Sequence, residues 1–233
     1  MPDIKITAPD GGSFSAYLAL PAQTPAPGIV LIQEIFGVNK VMRDLADGFA
    51  AQGYAVACPD LFWRIEPGVQ ITDQSQAEWN QAFALMNKFL PEFATGVGDI
   101  QATISHLRGM GECSGKVGTV GYCLGGSLAY ATSFFTDSDA SVGYYPVQID
   151  DYLPQVPNIK KPLMLHIAEQ DGFCPAESQA KIKEALATNA LCTAHSYAGV
   201  DHAFARKGGA NYNAAAAKQA NERTAAFLKQ NLV

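Results

Sequence analysis

Cys123 stands in the run Gly118-Thr119-Val120-Gly121-Tyr122-Cys123-Leu124-Gly125-Gly126, where an apolar strand pattern gives way to Gly-x-Cys-x-Gly and then to a helix start. A strand-to-helix turn of this kind is sharp and strained. Glycines two positions to either side let neighbouring backbone pass close, and the central side chain is pushed out over the C-terminal edge of the sheet. A thiol there lies at a helix N-terminus, whose dipole favours the thiolate. The amide of Leu124, at the same terminus, faces the oxygen of a carbonyl under attack and can stabilise its developing charge. An isolated Gly-x-Cys-x-Gly has a second reading, a buried core cysteine beside a glycine-rich packing turn, and the motif alone does not choose between the two.

The chain supplies partners in a telling order. Gln170-Asp171-Gly172 follows the apolar strand pattern Leu163 to Ile167, and Asp201-His202-Ala203-Phe204 follows Thr193 to Tyr197 and precedes the last helical stretch. Cys123, Asp171 and His202 therefore occur in the nucleophile, acid, histidine order of α/β-hydrolases, each just past a strand, so that all three meet at one edge of a parallel sheet. The histidine can take the thiol proton or hold it as an ion pair, while Asp171 sets its tautomer and orientation. Asp201 is a rival for that last task, but on the same turn as His202 its carboxylate is better placed to cap the loop. His106 falls within a helix and His166 and His195 within strands, where partnered structural imidazoles are expected. Cys58, Cys113, Cys174 and Cys192 show no activating context.

The elements that must position these residues alternate along the chain. Ile4 to Thr7 and Phe14 to Leu20 flank Asp10-Gly11-Gly12 and read as an antiparallel hairpin at a sheet edge. Buried strands are expected at Gly28 to Ile32, Tyr54 to Cys58, Val117 to Val120, Ser141 to Tyr145, Pro162 to Ala168 and Thr193 to Tyr197. Helices are expected at 41–52, 73–90, 94–109, 125–135, 176–189 and 211–230, with an irregular segment at 61–72. The fold class that follows is α/β, a mostly parallel central sheet with helices on both faces and an N-terminal antiparallel edge hairpin, organised as one domain over residues 1–233.

Hydrophobic residues make up 48% of the 233 and charged residues 16%, enough apolar surface for one well-buried core. The formal net charge of −6, without a basic cluster, argues against nucleic acid as a partner. Met1-Pro2-Asp3-Ile4-Lys5 lacks the layout of a leader peptide, and no apolar run approaches the roughly 20 residues needed to cross a bilayer. Five cysteines without a C-x-x-C pair give neither zinc spacing nor a disulfide framework, so a reduced cytoplasmic setting and no metal are expected. Gly111 to Lys116 is one residue short of a phosphate loop and lacks its Ser/Thr, and no cofactor is implied. No stripe of exposed apolar residues suggests self-association, and a monomer acting on a small molecule is the expectation.

Gln33-Glu34-Ile35-Phe36-Gly37-Val38-Asn39, Cys58-Pro59-Asp60-Leu61, Gly96-Val97-Gly98-Asp99, Gly118 to Gly126, Gly143-Tyr144-Tyr145, His202 to Arg206 and Ala220-Asn221-Glu222-Arg223-Thr224 together resemble the dienelactone hydrolase family across nearly the whole chain. The resemblance implies a cysteine-triad α/β-hydrolase opening an enol lactone to maleylacetate, with Cys123, Asp171 and His202 as the triad. It implies Glu34 beside the thiol, Ile35 with Leu124 as the oxyanion-hole amides, and Arg206 gripping a substrate carboxylate. At the position of a second family arginine this chain has Gln81, with Arg64 and Lys88 as conceivable substitutes, and a hydroxyl expected after His202 is replaced by Ala203. Phe36, Trp79, Phe83 and Tyr145 are candidate apolar walls, each of which can equally be core. Glu34 would hold or exchange the thiol proton; the competing role is to satisfy loop amides. A small ester or enol lactone is the expected substrate, with a broad carboxylesterase or thioesterase and a non-catalytic scaffold of the same fold as alternatives.

Overall fold

A computed structural model describes residues 3–233. Met1 and Pro2, the start of the segment read against a leader peptide, lie outside the described residues. The strands are β1 (Asp3–Thr7), β2 (Ser13–Ala19), β3 (Ala26–Ile32), β4 (Ala55–Pro59), β5 (Cys113–Tyr122), β6 (Ser141–Tyr144), β7 (Leu163–Ala168) and β8 (Cys192–Tyr197). The helices are α1 (Lys40–Ala51), α2 (Gln76–Phe89), α3 (Phe93–Gly109), α4 (Leu124–Phe135), α5 (Ala176–Ala187) and α6 (Ala214–Leu232). The eight strands follow the order β1-β2-β4-β3-β5-β6-β7-β8. β1–β2 and β2–β4 pair antiparallel, whereas β3–β4, β6–β7 and β7–β8 pair parallel. This is the expected mostly parallel sheet with its antiparallel N-terminal hairpin. By contacts the chain gathers into two compact units, Met1–Thr119 and Val120–Val233.

In the first unit the alternation of strand side chains assigns the helices to faces. Phe14 and Ala16 of β2 pack with Ile6, Ala8, Trp63 and Ala102, the last a residue of α3. Tyr17, pointing the other way, donates its hydroxyl to Asp47 and lies under the Arg43 guanidinium, both residues of α1. β3 is apolar on both faces and buried along nearly its full length, as a covered parallel strand must be.

The second unit follows the same rule. Leu163, Leu165 and Ile167 of β7 join Tyr130 of α4 and Ile182 and Leu186 of α5 in one cluster. Burying each such side chain contributes about 1.5–3 kcal/mol. His166, on the opposite face of β7, meets Thr224 of α6. A 3-10 segment, Asp150–Asn158, was not foreseen; Pro154 and Pro157 withhold the amides that an α-helix needs there. β5 is longer than the four-residue strand read from the sequence, because its first half carries exposed Ser114, Gly115 and Lys116, and an apolar pattern misses it. β6 ends at Tyr144 because Tyr145 turns to φ 37. Among the described residues no helix is long and apolar enough to cross a membrane.

The irregular segment after β4 is tied down by side chains. Asp60 accepts the amides of Phe62 and Gly68 at 3.0 and 2.7 Å, Gln33 accepts that of Leu61 at 3.1 Å, and Asn39 donates to the Ile71 carbonyl at 2.8 Å. Arg64 pairs with Asp10 and with the fully buried Asp99 of α3, which also accepts the Trp63 indole N–H at 2.9 Å. Arg64 is thus committed to structure and not to a substrate. Removing it would orphan a buried carboxylate, and Arg64→Ala should lower unfolding free energy in urea by about 3 kcal/mol, the low end for breaking such a pair because the arginine itself is partly exposed.

Candidate active site

β5 runs without a linker into α4, and Cys123 is the residue between them, at φ 58 and ψ −120. A side chain rarely adopts a positive φ, and this one is held by its surroundings. A Cβ on Gly121 would lie 1.9 Å from the Gly125 carbonyl oxygen, and one on Gly126 would lie 2.4 Å from that of Tyr144. Both glycines are therefore required by close backbone approach. The Cys123 amide donates to the Tyr144 carbonyl at 3.1 Å, and the Cys123 carbonyl accepts from Ser127 at 3.1 Å. Ser127 is itself stapled to Val147, accepting its amide at 2.9 Å and donating to its carbonyl at 2.6 Å. Leu124 opens α4, so its amide belongs to the first turn, which has no intrahelical acceptors.

Asp171 and His202 leave the ends of β7 and β8. The Asp171 carboxylate is buried and lies 2.8 Å from His202 Nδ1, and its other oxygen accepts the Phe173 amide at 2.8 Å. Asp201 accepts the amides of His202 and, more weakly, Gly172, capping the loop as its position suggested. The loop beyond is closed by Asn211, which donates to the His202 carbonyl at 3.0 Å. Ala203, in place of a hydroxyl residue, takes φ 63. Arg206 is buried four residues after His202, its amide donating to the Ala203 carbonyl at 2.9 Å.

Electrostatics link Cys123 to the histidine. Burial alone disfavours an imidazolium at His202. The negative charge and hydrogen bond of Cys123, with the hydrogen bond and charge of Asp171, outweigh it and push His202 up to about 10. Burial raises the Cys58 thiol strongly and pushes Cys174 to about 12 and Cys192 to about 11, leaving these three protonated at neutral pH.

The remaining candidates fall as follows. Tyr145 is fully buried, its ring edge-on to His202 at 5.1 Å and to Phe204 at 5.6 Å, a wall for the imidazole more than an open surface. Glu34 and Ile35 follow β3 and are buried in the first unit. Phe36, also buried, meets Trp79 edge-on at 5.1 Å, and Trp79 stacks on Phe83 at 5.5 Å, so these three form an aromatic row. Gln81 of α2 donates to the Glu66 carboxylate at 3.0 Å. The sequence reading missed Phe173, half exposed and edge-on to His202 at 4.9 Å; its place two residues after Asp171 was the available signal.

Two buried histidines should titrate in opposite senses. In NMR of the protein with labelled histidine, the His202 ring should stay cationic from neutral pH up to about 10, and His166, which burial pushes down to about 3, should stay neutral throughout. Cys123→Ala removes the largest influence holding the His202 proton and should move that titration down; an unmoved titration would separate the two residues electrostatically.

Comparison with known proteins agrees with the fold and identifies the family. The dienelactone hydrolase family model matches residues 14–232. A curated protein of Azospirillum brasilense is 53% identical over 239 residues, spanning 100% of both chains. The carboxymethylenebutenolidase of Pseudomonas putida is 43% identical over 225 residues, covering 97% of this chain and 94% of its own. A crystal structure from Klebsiella pneumoniae superposes with a TM-score of 0.87 over 98% of each chain at 24% identity, which shows the shared fold. With a family model spanning nearly all of its length and full-length relatives well above chance identity, the chain belongs to the dienelactone hydrolase family.

Proposed function

We propose that Cys123 is the nucleophile of a hydrolase acting on a small ester or enol lactone, with His202 as proton carrier and Asp171 as its orienting partner. The observation that carries this reading is the His202 ring set 2.8 Å from the Asp171 carboxylate, with the Cys123 thiol at the head of α4 raising its hold on a proton. The thiolate adds to the substrate carbonyl, and the oxyanion forms against the Leu124 amide, joined in the family resemblance by that of Ile35. Collapse breaks the C–O bond; the His202 imidazolium gives its proton to the departing oxygen, which in a lactone stays tethered as an enol. Neutral His202 then takes a proton from water, whose oxygen attacks the thioester and releases the acid and the thiolate. By resemblance Glu34 manages the thiol proton before substrate arrives and Arg206 receives a substrate carboxylate, a role suited to a guanidinium.

Loss of dienelactone absorbance, followed with wild type and Cys123→Ala in parallel, tests the proposal. Turnover in the wild type that disappears in the variant, by at least a thousandfold if the residual is binding and oxyanion stabilisation alone, is the expected result. Equal turnover in both would remove Cys123 from the chemistry.

A broad carboxylesterase or thioesterase is the second reading, favoured by Gln81 and its partner Glu66: a carboxylate stands in contact with the side chain at the position of the second family arginine. Gln81→Arg alone should gain little on anionic lactones, since Glu66 would pair with the new guanidinium. Gln81→Arg combined with Glu66→Gln should raise kcat/KM for a carboxylate-bearing lactone roughly ten- to a hundredfold, the worth of one charged hydrogen bond. No gain in the double variant would mean that carboxylate recognition is organised elsewhere.

A further inference from the structure

The run Ala220-Asn221-Glu222-Arg223-Thr224 of α6 has no part in the chemistry above, yet three of its side chains reach the strands behind the site. The Arg223 guanidinium lies over the Tyr197 ring, 5.3 Å from its centroid. The Tyr197 hydroxyl is 2.8 Å from His166 Nδ1, and His166 Nε2 is 2.9 Å from Thr224 Oγ1. Thr224 Oγ1 is 2.7 Å from the Tyr144 hydroxyl, which donates to Asn221 Oδ1 at 2.9 Å. The path leaves α6 at Arg223, crosses β8 and β7, meets α6 again at Thr224, and passes through Tyr144 of β6 to end on α6 at Asn221.

With Asn221 accepting through Oδ1, counting protons leaves one arrangement. Tyr144 gives its proton to Asn221, so it accepts from Thr224. Thr224, with its one proton committed, accepts from His166 Nε2–H. A neutral imidazole protonated there presents Nδ1 as acceptor, so Tyr197 donates to it. Burial keeps His166 neutral, as this order requires. Each of the linked groups is satisfied in one sense only, the condition under which a buried polar network rigidifies its surroundings.

The network ends on the backbone of the site. The Tyr144 carbonyl accepts the Cys123 amide at 3.1 Å, and the Tyr144 ring stacks at 4.5 Å on Tyr122, the residue before Cys123. The His166 carbonyl accepts the Tyr145 amide at 2.7 Å, and the Tyr145 ring abuts His202. We propose that the chain Arg223–Tyr197–His166–Thr224–Tyr144–Asn221 is a positioning device through which helix α6 holds the strained backbone of Cys123 and the ring of His202. Thr224, the link between His166 and Tyr144, is its central positioning residue. The proposal rests on Cys123 being the nucleophile.

Thr224→Val keeps the shape and removes the hydroxyl that joins the two halves of the chain. The expected result is a kcat about tenfold lower with KM nearly unchanged, as for a small misplacement of reacting groups. Alkylation of Cys123 by iodoacetamide, read by mass spectrometry without any substrate, should slow by a similar factor, and Thr224→Ser should restore both to within about twofold. A folded Thr224→Val with wild-type kcat and alkylation rate, whatever its melting temperature, would overturn the proposal. Should that variant not fold, Tyr144→Phe, which keeps the stack on Tyr122 and loses only the hydroxyl, is read by the same two measurements. Cys123→Ala separates the two claims: an active Cys123→Ala defeats the nucleophile assignment, whereas an inactive one beside unaffected network variants defeats the positioning role alone.

Discussion

Between β5 and α4 the backbone approaches itself so closely that Gly121 and Gly126 have no room for a methyl group. Much of the second unit is arranged around that crowding. It lets β5 turn into α4 with a single residue between them, and it forces that residue into a positive φ. The strain of such a conformation, of order 1–3 kcal/mol, has to be offset by surrounding contacts. Those contacts are the Tyr144 carbonyl on the Cys123 amide, the helical bond from Ser127, and the two-way staple between Ser127 and Val147. A side chain displayed this way is aimed by the main chain and needs few contacts of its own.

Charge in the interior is handled by one rule in both units: a buried ionisable group is either paired or kept neutral. Asp99 is met by Arg64 and the Trp63 indole, Asp171 by His202, and His166 loses its proton and hydrogen-bonds on both sides. Three thiols away from the helix head, Cys58, Cys174 and Cys192, are silenced by burial. Cys123 differs from them by position: it heads a helix, and its charge acts on a histidine whose Nδ1 lies 2.8 Å from Asp171.

Most of this architecture was legible in the residues. Strand identity followed from runs such as Leu163 to Ile167, and the order of Cys123, Asp171 and His202 gave the site its outline before any coordinate. Asp201 was rightly set aside, since a carboxylate adjacent in sequence reaches the backbone amides of its own turn first. What stayed illegible depended on distant partners. Nothing local marks His166 as the midpoint of a chain from Arg223 to Asn221, because its partners come from β8, β6 and α6. Gln81 could be seen as a departure from the family pattern, but not its bond to Glu66, fifteen residues earlier in a segment without a period to read. β5 was read too short because its polar first half carries no apolar signal, and the 3-10 segment because two prolines suggest only irregularity.

The segment after β4 has the composition of a loop and the attachments of a core element. Asp60, through its amide on the Ser15 carbonyl, Arg64, Leu61 and Ile71 are each fastened to a different part of the first unit, and a bridge joins Gly37 to Gln70. Loops usually drift in length as lineages diverge, because an insertion there disturbs little. Here an added or deleted residue would shift several anchors out of register at once. Descendants of this chain are therefore confined to exchanging side chains on an inherited frame, and new specificities in this segment must arise by replacement and not by growth.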